Sequence, residues 1–255
     1  AILEAVDIVE QTGPDIIDIN FGCPVKKVVC KNAGAGILRD IPLMVKLTEE
    51  IVKRTKIPVT VKTRLGWDND SIRIVEVAER LQDVGIKAIS IHGRTRVQMY
   101  KGEADWRPIA QVKNNPRMQI PVFGNGDVST PEAAKRMRDD FGLDGAMIGR
   151  ASIGNPWFFA EVKHFLQTGN HLKPVDMNER VEAARRHLQM AIDWKGEKLA
   201  VFETRRHYTN YFKGIPNFKD LRMKMVSSDS SEEVFEALEE ARRQFADHDF
   251  SFTAV

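Results

Sequence analysis

Only two cysteines occur in the 255 residues, Cys23 and Cys30. Two thiols cannot build a disulfide framework or a four-thiolate metal site. No metal is therefore expected, and a thiol that matters here matters as a reactive group. Long apolar runs are missing as well. No stretch reaches the length of a membrane span, and no charged-then-apolar segment opens the chain as a signal peptide does. The expectation is a cytoplasmic protein with no membrane partner. An excess of one charge sign is also lacking, with 38 Lys/Arg against 36 Asp/Glu and a net of +2. That balance hides an asymmetry. Residues 178–224 carry eleven Lys/Arg and six Asp/Glu, a net of +5, whereas residues 225–255 carry two and eight, a net of −6. A basic stretch followed by an acidic end marks either a polyanion-binding face or two solvated faces that attract each other.

What is present is an alternation of short β-rich runs and amphipathic helical stretches. The strand candidates are Asp15–Asn20, Val59–Thr63, Ala88–His92, Pro121–Gly124 and Gly145–Ile148, each rich in Ile or Val and followed by loop-forming residues. Helices are expected between them, among them Pro42–Thr55 and Ser71–Val84; in the latter Ile74, Val77, Ala78 and Leu81 fall on one face. Thr130 before Pro131 reads as a hydroxyl cap with proline in the first turn. Repeated strand-helix units predict a parallel sheet. From Trp157 onward only helical periodicity remains, with Val181, Ala184, Leu188, Ala191 and Ile192 as an apolar stripe. The expected architecture is α/β: a partial (β/α)8 TIM barrel of about five βα units over residues 1–156, then a small all-helical domain over residues 157–255. A closed barrel needs eight units. Because Ile2, Val6 and Val9 already lie on a helical stripe, the chain reads as a fragment beginning inside a helix; an open five-stranded sheet is the alternative.

In a barrel of this kind chemistry sits at the C-terminal ends of the strands. Those ends carry Asn20-Phe21-Gly22-Cys23-Pro24, Lys62-Thr63-Arg64, His92-Gly93-Arg94-Thr95-Arg96, Gly124-Asn125-Gly126-Asp127 and Gly149-Arg150. The last two are glycine-bearing turns, each leading into a helix, with Arg150 for a charge-assisted contact. That combination suits a phosphate-bearing ligand, although glycines at strand ends are also ordinary turn devices. Lys62 ends a run that otherwise enters the core. It needs an anionic or hydrogen-bonding partner, either a ligand such as a reduced flavin, negative near N1, or a carboxylate on a neighbouring strand such as Asp18. Cys23 lies in a loop after a strand. A thiol, with a reference pKa of about 8.5, is mostly protonated at neutral pH and can donate a proton.

In this order these motifs resemble the tRNA-dihydrouridine synthases, and the bacterial B-type branch most. The similarity rests on Asp18-Ile19-Asn20-Phe21-Gly22-Cys23-Pro24 with Lys26-Lys27 and Gly34-Ala35-Gly36. It continues through Val61-Lys62-Thr63-Arg64-Leu65-Gly66-Trp67, Ile91-His92-Gly93-Arg94-Thr95-Arg96, Asn125-Gly126-Asp127 and Met147-Ile148-Gly149-Arg150. It runs from the first residues through at least Phe159 and more loosely into the helical tail.

The resemblance implies an FMN-dependent reduction of uridines in tRNA, with hydride going to C6 and a proton from Cys23 to C5, and with NADPH as reductant. Lys62 is implied at the flavin ring and His92 near its phosphate or ring. Asn125, Gly126, Asp127, Gly149 and Arg150 are implied on its phosphate side. Asn20, Arg64 and Arg94 are candidate contacts to substrate or flavin. The helical tail would meet the tRNA backbone through Arg185, Arg186, Lys195, Lys198, Arg205, Arg206 and Lys213. Tyr208, Tyr211 and Phe212 either stack on bases or form a core face. A monomer is expected. The family's upstream strands and its Pro-Met-Ala type flavin loop have no counterpart here. Two other readings stay open: another FMN barrel oxidoreductase acting on free pyrimidines, and a flavin-free truncated tRNA-binding protein.

Overall fold

A computed structural model describes residues 1–250. It divides into two compact units, Ala1–Gly149 and Arg150–Val255. Five short runs form the strands of the first unit, the first three of them rich in β-branched residues. These are β1 (Ile17–Asn20), β2 (Val59–Arg64), β3 (Ala88–His92), β4 (Val122–Asn125) and β5 (Gly145–Met147). All pair in parallel, in the order β1-β2-β3-β4-β5. A doubly wound sheet reverses its strand order at a switch point. Strict sequence order, with a crossover at every step, is how a (β/α) barrel is wound, so the five units form part of such a barrel.

Helix α1 (Ile2–Glu10) precedes β1, and the crossovers carry α2 (Lys26–Val29), α3 (Ile41–Arg54), α4 (Ile74–Asp83), α5 (Arg107–Lys113) and α6 (Pro131–Asp139). Their limits follow local chemistry. The Thr130 hydroxyl accepts from Ala133 N at 3.1 Å and starts α6 at Pro131. Helix α4 starts three residues later than the periodicity suggests. Asp68 and Ser71 close a capping box around a 3-10 turn, Asn69–Ser71, and the chain re-enters helix only at Ile74. On α1, Val6 is buried while Ile2 and Val9 remain exposed.

Side chains alternate along a strand, and the register turns that alternation into two different faces. Ile17, Ile19, Val59, Val61, Ile89, Ile91 and Val122 fall on one face and are buried. Helix α6 packs closely here: a Cβ on Gly124 would collide with Met137 and Leu143. The opposite face is polar. Asn20 pairs with Lys62 and Lys62 with Ser90; nearer the strand ends, Arg64 pairs with His92 and His92 with Asn125. Register therefore gathers residues more than a hundred positions apart into adjoining rows.

The second unit is helical: α7 (Phe158–Thr168), α8 (Met177–Lys195), α9 (Glu197–Tyr211), α10 (Lys219–Ser227) and α11 (Ser231–Gln244). Asp176 and Glu179 form a capping box that starts α8, and Gly196, at φ +79°, turns the chain directly into α9. The expected stripe holds: Val181, Ala184 and Leu188 are fully buried, with Ala191 and Ile192 packed beside them. Tyr208, Tyr211 and Phe212 belong to the same cluster, 1%, 6% and 3% exposed, so they form core and offer no stacking surface. The acidic end is held against the basic stretch by ion pairs. Arg185 meets Glu239 at 3.0 Å and Lys224 meets Glu240 at 2.7 Å, and Arg242 pairs with Glu182. Among the described residues, no helix is long and apolar enough to cross a membrane.

Candidate active site

Cys23 is half-buried in the loop that leaves β1. That loop is pinned on two sides. Arg64 Nε donates to Gly22 O at 2.8 Å, and Ala35 N donates to Cys23 O at 2.9 Å. The Gly34-Ala35-Gly36 motif makes the second contact possible. Gly34 has φ +54°, and a Cβ there would lie 2.8 Å from Cys23 O; a Cβ on Gly36 would lie 2.7 Å from Val29 O. Within the loop, Asn20 Oδ1 accepts from Gly22 N at 2.9 Å. This turn uses the asparagine's acceptor and leaves its amide group for other partners.

Beside this loop stands Lys62. On β1, Asp18 lies in register with Thr60 and accepts from its hydroxyl at 2.7 Å; its charge acts on Lys62, but no carboxylate among the described residues forms an ion pair with Lys62. The alternative of a Lys62–Asp18 salt bridge is thus not what the strand pair makes. Burial, and then repulsion from Arg64, lower the lysine's pKa below its ordinary value. Gly22 leaves space next to this ammonium: a Cβ there would be 3.6 Å from Lys62 Nζ.

The next row holds His92, 6% exposed. Burial, with the charges of Arg64, Lys62 and Arg94 around it, pushes its pKa down to about 3, so the ring is neutral across the physiological range. Both neighbouring guanidiniums are 2% exposed; Arg94 is bonded through all three nitrogens, and Arg64 through Nε and Nη1. Arg64 Nη1 donates to Thr95 O and Met99 O at 3.1 and 2.9 Å. Arg94 forms a two-pronged pair with Asp127, at 2.9 and 2.6 Å, and also donates to Lys101 O and Gly102 O. Both arginines thereby staple residues 95–102 over the strand ends.

Asn125 Nδ2 donates to Met147 O at 2.8 Å and ties β4 to β5. Gly126 and Asp127 follow in left-handed conformations, φ +113° and +55°. A side chain at Gly126 would run into Ala104 and the His92 ring. The Asp127 carboxylate also accepts from Ala104 N, and Trp106 Nε1 donates to Gly126 O. Gly149 closes the first unit with open space where a Cβ would point. Arg150 opens the second unit in a 3-10 turn, Arg150–Ser152. Register and loops bring Asn20, Cys23, Lys62, Arg64, His92, Arg94, Asn125, Gly126 and Asp127 together. Arg205 and Arg206 lie on α9: Arg205 is paired with Asp229 at 2.6 Å, and Arg206 is exposed.

Sequence reasoning missed Tyr100. It stands at the mouth of this cluster, 55% exposed, its ring 6.2 Å from His92 and 5.7 Å from the Arg64 guanidinium. No motif marks it, since its position is set by backbone carbonyls that accept from Arg64 and Arg94.

The family model described as "Dihydrouridine synthase (Dus)" matches residues 1–247. The chain belongs to the dihydrouridine synthase family. The chain is 40% identical over 238 residues to "Probable tRNA-dihydrouridine synthase 1" of Synechocystis sp., covering 93% of this chain and 66% of that protein. It is 39% identical over 221 residues to "tRNA-dihydrouridine synthase B" of Pseudomonas aeruginosa, covering 87% and 66%. For "tRNA-dihydrouridine synthase B" of Proteus vulgaris the figures are 38% over 235 residues, 92% and 72%. The chain thus spans about two thirds of the length of the first two relatives. Dihydrodipicolinate synthase from Aquifex aeolicus superposes over 96% of this chain and 91% of that one at 13% identity, but its TM-score of 0.44 is too loose to bear on fold or function.

Proposed function

We propose that this chain carries the FMN-binding and uridine-reducing site of a tRNA-dihydrouridine synthase, with the helical unit contacting the tRNA backbone. The observation that carries this is Lys62, a partly buried cation near a strand end that forms no ion pair with a carboxylate among the described residues, beside the glycine of the Cys23 loop. A site with such a cation, a neutral histidine and a thiol favours an anionic, flat ligand over a positively charged one. Bound reduced flavin would supply the hydride for C6 of the target uracil. Lys62 would hold its ring, where a cation stabilises negative charge near N1.

The phosphate side falls to Asn125, Gly126 and Asp127, with Gly149 and Arg150 by their place in the chain after β5. Asp127 acts there through its backbone, because its carboxylate is engaged by Arg94 and Ala104 N. A left-handed turn is the kind of backbone that presents N–H groups to an anion.

On the substrate side, Cys23 Sγ–H delivers the proton to C5. His92, uncharged, offers hydrogen bonds without competing for that proton. Asn20 contacts the substrate through its remaining amide group, and Tyr100 lies at the same mouth. Arg64 and Arg94 serve by holding the loops that carry Cys23 and Tyr100. NADPH is the proposed reductant. Arg206, with Arg186, Lys198 and Lys213, is exposed and without an ion pair among the described residues; these side chains are the proposed tRNA-backbone contacts, Arg205 joining them once released from Asp229.

The test starts with the visible absorption spectrum of this chain, alone and with added FMN, followed by reduction of unmodified tRNA with NADPH. Flavin bound at about one per chain and tRNA-dependent NADPH oxidation support the reading. Reduction of free uracil but not tRNA would replace it with a free-pyrimidine reductase. RNA binding by a folded, flavin-free chain would replace it with a binding protein.

A further inference from the structure

We propose that Arg39, Trp67 and Arg96 form a phosphodiester subsite that grips the RNA strand next to the nucleotide held at Cys23, an assignment that rests on the tRNA reading above. The two guanidinium carbons lie 4.5 and 4.8 Å from the centroid of one indole. The three residues come from three successive strand-end loops. Arg39 ends the 3-10 turn Gly34–Arg39 after β1, Trp67 follows β2, and Arg96 follows β3. The second and third loops are laced together, Arg96 N donating to Gly66 O at 3.0 Å and Val97 N to Trp67 O at 2.9 Å. Arg39 is held in place by Asn32 Oδ1 at 2.8 Å and Gly36 O at 3.4 Å. Arg39 and Trp67 also wall a groove of about 420 Å³.

What singles out this trio is that neither guanidinium forms an ion pair among the described residues, although Asp68 lines the same groove as Arg39 and Trp67. Residues 1–149 contain eleven arginines. Eight of them pair with carboxylates, and Arg64 is engaged by carbonyls. The remaining two are Arg39 and Arg96, and both lie on Trp67. Two like charges on one ring repel each other, whereas a cation–π contact at an exposed ring returns only about 0.5–1 kcal/mol. Arg96 also has a buried Nε with no acceptor, which costs the fold further. Stability of the chain alone therefore does not explain the arrangement. An arriving anion does, because it removes the repulsion and meets guanidiniums whose entropy is already restricted. Stacked guanidiniums keep their N–H edges for forked contact with phosphate oxygens. The location, on the loops beside Cys23, suits the backbone of a polynucleotide whose base enters the site.

The experiment measures binding of a short single-stranded oligouridylate to the full chain as a function of salt, for wild type, Arg39→Gln and Arg96→Gln, with thermal melts in parallel. Glutamine keeps an amide for stacking and hydrogen bonding but removes the charge. Each substitution should reduce the slope of log K against log salt by about 0.7, the loss of one single-strand phosphate contact, with the melt little changed. Polyglutamate, matched in charge, should bind weakly and independently of both arginines. Unchanged slopes in both variants, beside a salt-sensitive wild type, would overturn the subsite and leave the tRNA reading standing. Equal, arginine-dependent binding of polyglutamate would overturn its assignment to nucleic acid. A wild type with no affinity for the oligonucleotide would sink both readings together. If Arg39→Gln does not fold, Arg96→Gln alone decides, since Arg96 makes no side-chain hydrogen bond among the described residues.

Discussion

The strand ends of residues 1–149 and the α11 side of the helical unit treat positive charge differently. At the strand ends of residues 1–149, Lys62, Arg39 and Arg96 have no carboxylate within pairing reach among the described residues, and the one acid beside His92, Asp127, is engaged by Arg94. In residues 150–250 some cations are answered, while Arg186, Lys198, Arg206 and Lys213 are exposed and without an ion pair among the described residues. Helix α11 offers Glu239 to Arg185 and Glu240 to Lys224, Asp229 takes Arg205, and Glu203 takes Lys195. A count of basic residues along the chain therefore does not say which of them await an anion; compensation in space does, and it leaves open cations both at the strand ends and on the helical unit. An unanswered cation is held ready for a ligand. A paired one must break a contact before it can serve.

The sharpest way to break the comparison is to remove the chemistry of the first unit and leave the second untouched. Cys23→Ala should lower the rate of tRNA reduction by about 10²–10⁴-fold, the range expected when a positioned proton donor is lost. Flavin absorbance and tRNA affinity should stay at wild-type values. A variant that keeps its rate would remove Cys23 from the mechanism, and one that loses tRNA affinity would make it a binding residue.

Next in size is Arg94→Ala. It removes the ionic partner of the Asp127 carboxylate, which keeps its bond from Ala104 N, and the donors to the carbonyls of Lys101 and Gly102. Because Asp127 stays partly exposed, the cost lies at the low end for a broken internal pair, about 3 kcal/mol in urea unfolding. A loss below about 1 kcal/mol would mean that the pair behaves as a surface bridge and does not hold the 95–102 loop.

His92 gives a pH-dependent version of the same contrast. Its folded pKa is about 3 against an ordinary 6.5. Above 6.5 the ring is neutral in both states and its contribution is fully present. Between 6.5 and 3 only the unfolded chain takes up the proton, so stability falls as pH drops, by about 1.4 kcal/mol per unit. Unfolding at pH 7 and pH 5 should therefore show a steeper loss for wild type than for His92→Gln. Parallel losses would place the histidine in contact with solvent.

Much of this was legible along the chain because (β/α) units are local. Each strand end and the loop after it are contiguous, so Asn20 to Cys23, Lys62 to Arg64 and Asn125 to Asp127 announce themselves in order. Whatever depends on register or on backbone acceptors was not legible. Whether Lys62 meets Asp18 turns on register, which sets Asp18 opposite Thr60 and Asn20 opposite Lys62. The engagement of Arg64 by Thr95 O and Met99 O, which places Tyr100, has no side-chain signal, since every residue has a carbonyl. Tyr208, Tyr211 and Phe212 stayed ambiguous for a different reason. A helical stripe of aromatics reads the same whether it faces a core or a partner, and only the packing against Val181, Leu188 and Leu238 decides it.

The smallest expected effect is also the most direct test of the comparison, and it lies within one helix. Arg185 and Arg186 are adjacent on α8, but Arg185 is half-buried and paired with Glu239, whereas Arg186 is exposed and without an ion pair. Arg185→Ala should cost stability by less than about 1 kcal/mol, as half-exposed bridges do, and should barely alter the salt dependence of tRNA binding. Arg186→Ala should leave stability unchanged and reduce the salt slope by about 0.7–0.9, one phosphate contact. Adding Glu239→Ala should free Arg185 and raise tRNA affinity, because the released guanidinium then faces RNA in place of glutamate. If Arg185→Ala weakens tRNA binding as much as Arg186→Ala does, the ion pair gives way to phosphate at little cost, and compensation by α11 no longer separates the helical unit from the strand ends.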